Sequence, residues 1–557
     1  MALFEPIDRI YSSWEPESIS LNPIEEKLLV GDTINDNNSI IKNSQYRSKT
    51  NIPGILVFDG RTFGRSNNGK SLYKCIPNDK KLPIFLVPYV EKKTSFSKNK
   101  VNKYVLFKFN EWNDLQKHPM GLITNTLGNV DEFNVYCDYQ LYCRNVHVSL
   151  QKFNKIVSDK VFGLGNTDRP VDVIMDKVIE KYNLEDRTDM NIIAIDPLGA
   201  RDYDDALGII ELANGEHILS VYITNVVIML EMLELWDNFT DRITSIYLPD
   251  TKRSMLPAIL SEILCSLVMK NKSIAFAMDI TLNMNYEIID IEFKNCLISV
   301  TNNYIYNSET LLADPLYNEL EKCSTEMQKK YVYLEDINDS HDVVAYFMIL
   351  MNHQCGKILS SKKTGIFRSA SLNHNDAVSQ VPRDIKQFIK YYKQTGGSYS
   401  NWSQNTGHEM IGEGVECYAQ ITSPIRRIVD LINMATIQER NNMIKISEPC
   451  KNFINKWLNN IDNINIFTKN VKKVQNDCNL LHRSIVCSDE NEVVNGYVID
   501  KLSDTKYLIY IPSISLKTSV VYENVLEIYS KHNFTLYTFM DEANLQRKVR
   551  LQYIGVK

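Results

Sequence analysis

The feature that most constrains this 557-residue chain is a cluster of four aspartates fed by an apolar run: Ile192-Ile193-Ala194-Ile195-Asp196-Pro197-Leu198-Gly199-Ala200-Arg201-Asp202-Tyr203-Asp204-Asp205-Ala206-Leu207. The run Ile192–Ile195 reads as a strand that delivers Asp196. A Pro-Gly turn follows, then three more carboxylates before the next apolar run. Carboxylates at this spacing repel one another, and burying them unpaired is costly. Hard divalent cations, which take oxygen ligands, resolve that conflict. One or two Mg²⁺ ions held there could polarise a phosphodiester and stabilise its leaving oxygen. A solvated acidic turn fits the same spacing. A calcium EF-hand does not, because the D-x-[DN]-x-[DN]-G loop with its distal glutamate is absent.

A second constellation lies more than 200 residues on, in Tyr418-Ala419-Gln420-Ile421-Thr422-Ser423-Pro424-Ile425-Arg426-Arg427-Ile428-Val429-Asp430-Leu431. Thr-Ser-Pro reads as a helix start, with Ser423 as N-cap and Pro424 as the first helical residue. Arg426 and Arg427 then fall in the first turn, where cations oppose the helix dipole. Backbone N–H groups with two guanidiniums suit an anion such as phosphate. Pairing with surface carboxylates is the plainer alternative.

Composition narrows the classes further. Hydrophobic residues make up 44% and charged residues 23%, which excludes a largely disordered or fibrous chain. The net charge of −6 excludes a uniformly basic coat protein but leaves room for a basic channel. Eleven cysteines without a Cys-x-x-Cys pair argue against a disulfide framework or zinc ribbon and for a reducing, cytoplasmic compartment. No signal-peptide pattern opens the chain. The most apolar stretch, Val221–Leu235, is broken by Thr224, Asn225, Glu231 and Glu234, so no membrane span is expected. Richness in Asn, Ile, Lys and Tyr points to an A+T-rich genome, such as a parasite's or a large DNA virus's.

The texture changes along the chain. Residues 1–50 read as an irregular N-terminal arm. Residues 51–150 carry short β-type runs (Gly54–Phe58, Ile84–Tyr89, Tyr104–Phe109, Gly121–Thr124 and Phe133–Cys143) between Gly-, Asn- and Lys-rich turns, as in a small barrel. Residues 151–190 read as linker and helix, best at Val171–Tyr182. Residues 191–487 mix strands with helices, clearest at Val343–Leu359 and Arg426–Arg440. Residues 490–557 return to β texture and suggest a second small barrel.

Together the two constellations resemble the ribonuclease II/ribonuclease R (RNB) superfamily of processive 3′→5′ exoribonucleases. The family pattern I-D-x5-D-x-D-D-A is met by Ile195, Asp196, Asp202, Asp204, Asp205 and Ala206. A Y-L-P…M-L-P…L-C-S-L block follows as Tyr247-Leu248-Pro249, Met255-Leu256-Pro257 and Leu264-Cys265-Ser266-Leu267. The Y-x-T-S-P-I-R-R-x-x-D-L pattern closes the series near Tyr418–Leu431, with Gly412 and Gly414 upstream.

The resemblance implies an α+β multidomain protein, with a large mixed α/β catalytic domain flanked by small OB-fold β-barrels. It implies a Mg²⁺-dependent hydrolase, using one or two ions, that binds single-stranded RNA and acts as a monomer. Asp196, Asp202 and Asp205 would hold the metal. Asp204 would orient the terminal nucleotide or attacking water, and Arg426 would neutralise the phosphate. Tyr247, Tyr306, Arg368 and Arg427 would contact RNA, although Tyr306 also reads as a core tyrosine. Lys92, Lys93, Lys98, Lys100 and Lys103, near Tyr89, Phe96 and Tyr104, could form a basic, stacking groove or simply a solvated loop.

Some positions depart from the family pattern. The helix glutamate that helps hold the terminal nucleotide is replaced in Val344-Ala345-Tyr346-Phe347-Met348-Ile349-Leu350-Met351-Asn352, where Tyr346 or Ala345 takes its place. An aspartate at a strand end has become Asn225, and a histidine after the Asp-Leu pair has become Asn433. A late glutamate has no match around Val474–Cys478. A catalytically weak or inactive RNA-binding scaffold on the same fold is therefore the alternative expectation.

Overall fold

Short apolar runs separated by turn residues put five strands between residues 52 and 129: β1 (Ile52–Val57), β2 (Leu72–Pro77), β3 (Phe85–Pro88), β4 (Lys103–Glu111) and β5 (Met120–Asn129). They close into a barrel in the order β5-β3-β2-β1-β4, with β5 returning to β4. The computed structural model describes residues 2–3, 5–6, 14–15, 22–34, 39–58, 62–90, 101–163, 170–370, 381–392, 397–404, 407–408, 415–486, 493–514, 516–541 and 546–555. Lys92, Lys93, Phe96, Lys98, Lys100, Gly412 and Gly414 lie outside them.

Two expectations change here. The run Phe133–Cys143 is a helix, α1, not a strand. Its aromatic, β-branched composition favours a strand in isolation. Helical spacing instead brings Tyr136 and Tyr139 onto Tyr104, with the Tyr139 ring stacked at 4.1 Å. Tyr104 is thus fully buried and offers no stacking surface. The N-terminal arm is neither irregular nor loose where it is described: Thr33–Ile34 pairs antiparallel with Ala2–Leu3 and with Ile40–Ile41. Leu28, Leu29 and Val30 join the barrel core. Buried Asp32 accepts from the Leu29 and Ser44 amides and pairs with Arg47 at 2.6 Å.

Helices α2 (Gln151–Phe162) and α3 (Pro170–Lys181) follow. A seven-stranded mixed sheet comes next: β6 (Glu185–Arg187), β7 (Ile193–Asp196), β8 (Asp205–Glu211), β9 (His217–Thr224), β10 (Lys272–Leu282), β11 (Ile288–Ser299) and β12 (Asn302–Ile305), in the order β6-β11-β10-β9-β8-β7-β12. Its apolar face is built from Ile192, Ala194, Ala206, Tyr222, Ala275, Ala277 and Ile298, all buried. Helix α4 (Ser340–Ser361) matches the expected periodicity, and α5 (Ile428–Arg440) is buried along most of its length.

Helix α6 (Ile461–Val486) leads to a five-stranded antiparallel sheet, the strand count of an OB barrel: β13 (Val493–Ser503), β14 (Lys506–Ile511), β15 (Leu516–Val521), β16 (Lys531–Asp541) and β17 (Gln546–Gly555), in the order β15-β14-β13-β16-β17. The chain divides into two units. One holds residues 1–147, 247–252 and 470–557; the other holds residues 148–246 and 253–469, with the large sheet and both constellations.

Candidate active site

Asp196 ends β7, in parallel register with Ile305 of β12. The chain then turns through Pro197–Ala200, closed by the Ala200 amide on the Pro197 carbonyl at 3.1 Å. Gly199 sits at φ +84°, a conformation that glycine adopts without strain. The next stretch is clamped by the Leu264–Leu267 block. Ser266 Oγ accepts from the Tyr203 amide (2.9 Å) and donates to the Arg201 carbonyl (3.0 Å), and the Leu267 amide donates to the Tyr203 carbonyl (3.0 Å). Sequence reasoning found this block only as a pattern; its physical role is to fix the acidic loop.

Asp204 joins the two constellations. Its Oδ1 accepts from the Ile425 amide at 3.1 Å, and its Oδ2 lies 3.0 Å from Arg426 Nε. Asp204 is 2% exposed, whereas the Arg426 side chain is 45% exposed. The arginine segment is not the expected helix start. Its backbone donors are already engaged: the Ser423 amide with Asp430 Oδ1 (2.8 Å) and the Ile425 amide with Asp204. Arg427 is extended (φ −137°) and serves as the N-cap, so α5 begins at Ile428. The Ser245 amide and Thr244 Oγ1 both donate to the Arg426 carbonyl at 2.9 Å.

Burial pushes the Asp204 carboxyl up to about 7, against the lowering pull of Arg426 and the Ile425 amide. Asp196 is raised by burial and then by the charges of Asp204 and Asp202, and Asp205 by burial and then by the charge of Asp196. Tyr306 donates its amide to the Asp196 carbonyl (3.2 Å), and its phenol is raised by burial, then by Asp205 and Asp196. Its ring packs on His341 at 5.3 Å. A divalent cation fits this chemistry: Asp196 Oδ2 is buried without a hydrogen-bond partner, and three carboxylates carry an unrelieved cost of ionisation.

Among the described residues, the potential metal-ligating groups whose ligand atoms already lie within 4.8 Å of one another are instead Asp339, His341 and Asp342. Those carboxylates serve the start of α4. Asp339 accepts from the Asp342 amide (3.0 Å), and Asp342 accepts from the Asn338 amide (3.0 Å). The sequence reading did not single them out.

The other expected residues have separate settings. Arg427 donates to the buried Asp430 at 2.8 Å, in a part-buried pair. Arg368, on the strand Ile366–Ser369, lies over the Tyr399 ring at 5.1 Å. Tyr247 belongs to the other unit. It is 45% exposed, with the Lys252 ammonium 5.4 Å from its ring centroid. In that unit a cleft of about 400 Å³ at the barrel mouth is lined by Arg65, Lys70, Lys117 and His118. Of the lysines expected to form a basic groove or a solvated loop, Lys103 is described, and its ammonium donates to Asn129 Oδ1 at 2.7 Å.

The departures resolve into buried structure. Asn225 Nδ2 donates to Asn295 Oδ1 (2.9 Å) and Gln438 Oε1 (3.0 Å). Asn433 bridges both backbone groups of Ile366 and the Gln420 carbonyl, each at 2.9 Å. Tyr346 is fully buried and donates to the Tyr331 carbonyl at 3.1 Å.

Comparison with known proteins agrees with this architecture. The RNB domain model matches residues 184–322, and the Dis3-like cold-shock domain 2 model matches residues 72–142. DIS3-like exonuclease 2 of Schizosaccharomyces pombe is 28% identical over 221 residues, covering 38% of this chain and 22% of that protein. The first three curated relatives are matched over only 22% to 31% of their own length. Mycoplasma genitalium RNase R, solved with ribose-methylated single-stranded RNA, shares the fold at TM-score 0.68 and 15% identity, over 95% of both chains. Yeast Ssd1, described as a pseudonuclease, shares it at TM-score 0.58 and 14% identity, over 90% of this chain and 69% of that one. Two matched domain models, exonuclease relatives and a shared architecture point to one family: residues 184–322 match an RNB domain, and the findings support the ribonuclease II/ribonuclease R (RNB) superfamily.

Proposed function

We propose that this protein is a Mg²⁺-dependent 3′→5′ exoribonuclease that hydrolyses single-stranded RNA processively to 5′-nucleoside monophosphates. The observation that carries the reading is the direct link between the acidic loop and the arginine segment through Asp204 and Arg426, 3.0 Å apart. A binding scaffold has no need of several buried carboxylates held beside a half-exposed guanidinium. Asp196, Asp202 and Asp205 would hold the cation, which supplies Lewis-acid polarisation of the phosphodiester. Arg426, with a half-exposed side chain, would neutralise the phosphate as charge develops there. Asp204 fixes that guanidinium and keeps it from rotating away. Water attacks phosphorus, the P–O3′ bond to the penultimate nucleotide breaks, and the terminal nucleotide leaves with its 5′-phosphate. The basic cleft at the barrel mouth supports capture of a single strand. We also place the protein in a reducing, cytoplasmic compartment, on the strength of its unpatterned cysteines.

One observation favours a catalytically weak RNA-binding protein instead: the helix has Tyr346 or Ala345 where the family pattern carries a glutamate, and Tyr346 is buried. RNA and DNA of one sequence, labelled at the 3′-terminal nucleotide, separate the readings. The enzyme releases labelled 5′-monophosphate from RNA in Mg²⁺. Tight RNA binding with the label retained would leave the scaffold reading standing.

A further inference from the structure

We propose that Asn352 is a positioning residue for Arg426; the inference rests on the nuclease reading above. Asn352 lies on α4, is 3% exposed and is closed to substrate. Its side chain is spent entirely on the segment leading to the arginines. Oδ1 accepts from the Ile421 amide at 2.8 Å, and Nδ2 donates to Tyr418 Oη at 3.0 Å and Thr422 Oγ1 at 3.3 Å. Its own carbonyl accepts from the Ala419 amide at 3.3 Å. One helical turn on, Gly356 lets the same segment approach closely. A Cβ there would lie 2.7 Å from the Cys417 carbonyl oxygen and 3.1 Å from the Ala419 nitrogen.

Residues 417–422 are thus held against one helix face by four hydrogen bonds and a backbone contact. Four residues later the chain reaches Arg426, whose guanidinium must meet Asp204. A buried amide with every donor and acceptor satisfied in one geometry specifies a register; an apolar residue of similar size fills the space but does not. A shift of the segment along α4 would carry Arg426 off Asp204 while leaving the carboxylates in place.

The test is a double-mutant cycle in the full chain, with Asn352→Leu and Arg426→Ala alone and combined. Single-turnover cleavage of a 5′-labelled single-stranded RNA in Mg²⁺ is measured at a temperature where each variant is folded by circular dichroism. Asn352→Leu is expected to slow cleavage roughly tenfold to a hundredfold. Added to Arg426→Ala, it should cost less than about threefold, because the group it positions is gone. Equal losses in both backgrounds would make Asn352 an ordinary core residue and overturn the inference. If Asn352→Leu does not fold, Thr422→Val, which removes one of the bonds, should show the same coupling at smaller size.

If the wild type releases no nucleotide, the nuclease reading fails and the positioning role is read from binding. The slope of log affinity against log salt should fall by about 0.7, one phosphate contact, in both single variants and no further in the double variant. An unchanged slope in Asn352→Leu would overturn the inference there as well.

Discussion

At the residue scale, the site is a conflict between burial and charge. Asp204 is raised from its ordinary 3.8 to about 7, so the folded state binds its proton more tightly than the unfolded chain. Metal-free stability is therefore greatest below that ordinary value and falls as pH rises through about 7, with Asp196 and Asp205 acting in the same direction. Calorimetric melting at pH 5 and pH 8 should show a larger gain on adding Mg²⁺ at pH 8. Equal gains would mean that the cation does not relieve these carboxylates. Arg426 gives a second prediction. Arg426→Lys keeps the charge but loses the Nε contact with Asp204, and should lower the cleavage rate on the order of a hundredfold, with a smaller change in RNA affinity. A loss of affinity equal to the loss of rate would place Arg426 in binding alone.

At the element scale, the missing glutamate was legible in sequence, but the reason for its absence was not. Tyr346 is fully enclosed on α4, with its hydroxyl on Tyr331 and its ring beside Tyr333 at 5.5 Å. Tyr346→Glu would bury an unpaired carboxylate and should destabilise the protein by about 3 kcal/mol or more without raising activity, measured by denaturant titration and cleavage assay. A stable, more active variant would show that the site lacks that glutamate and can accept it.

The same scale separates what the sequence disclosed from what it hid. The acidic loop was legible because its apolar strand, Pro-Gly turn and carboxylates are local signals. The true start of α5 was hidden, because the Ser423 and Ile425 amides are claimed by Asp430 and by Asp204, more than 200 residues away. Helix α1 was misread as a strand because contacts with Tyr104 override the β propensity of its aromatic residues. Asn225 and Asn433 read in sequence only as departures from the family pattern. Only the fold reveals them as members of buried amide networks.

At the scale of the whole molecule, an acidic protein must hold a polyanion through local charge. The net charge is −6, yet Arg65, Lys70 and Lys117 gather, with Glu111 as the opposing charge, at one barrel mouth. Charge reversal there, as Arg65→Glu with Lys117→Glu, should weaken RNA binding by about tenfold or more at low salt and flatten its salt dependence, leaving single-turnover cleavage of saturating RNA near wild type. Unaltered affinity would move the RNA-capturing surface elsewhere on the molecule.

The central claim is that the carboxylate cluster makes this chain a cation-dependent exoribonuclease. The most direct test follows a 5′-labelled single-stranded RNA through time in Mg²⁺, in EDTA, and with an Asp205→Asn variant. The account predicts shortening from the 3′ end to one short limit product in Mg²⁺ alone, with intact RNA in EDTA and with the variant. RNA that stays bound but whole with the wild type in Mg²⁺, or shortening that persists with Asp205→Asn, would contradict it.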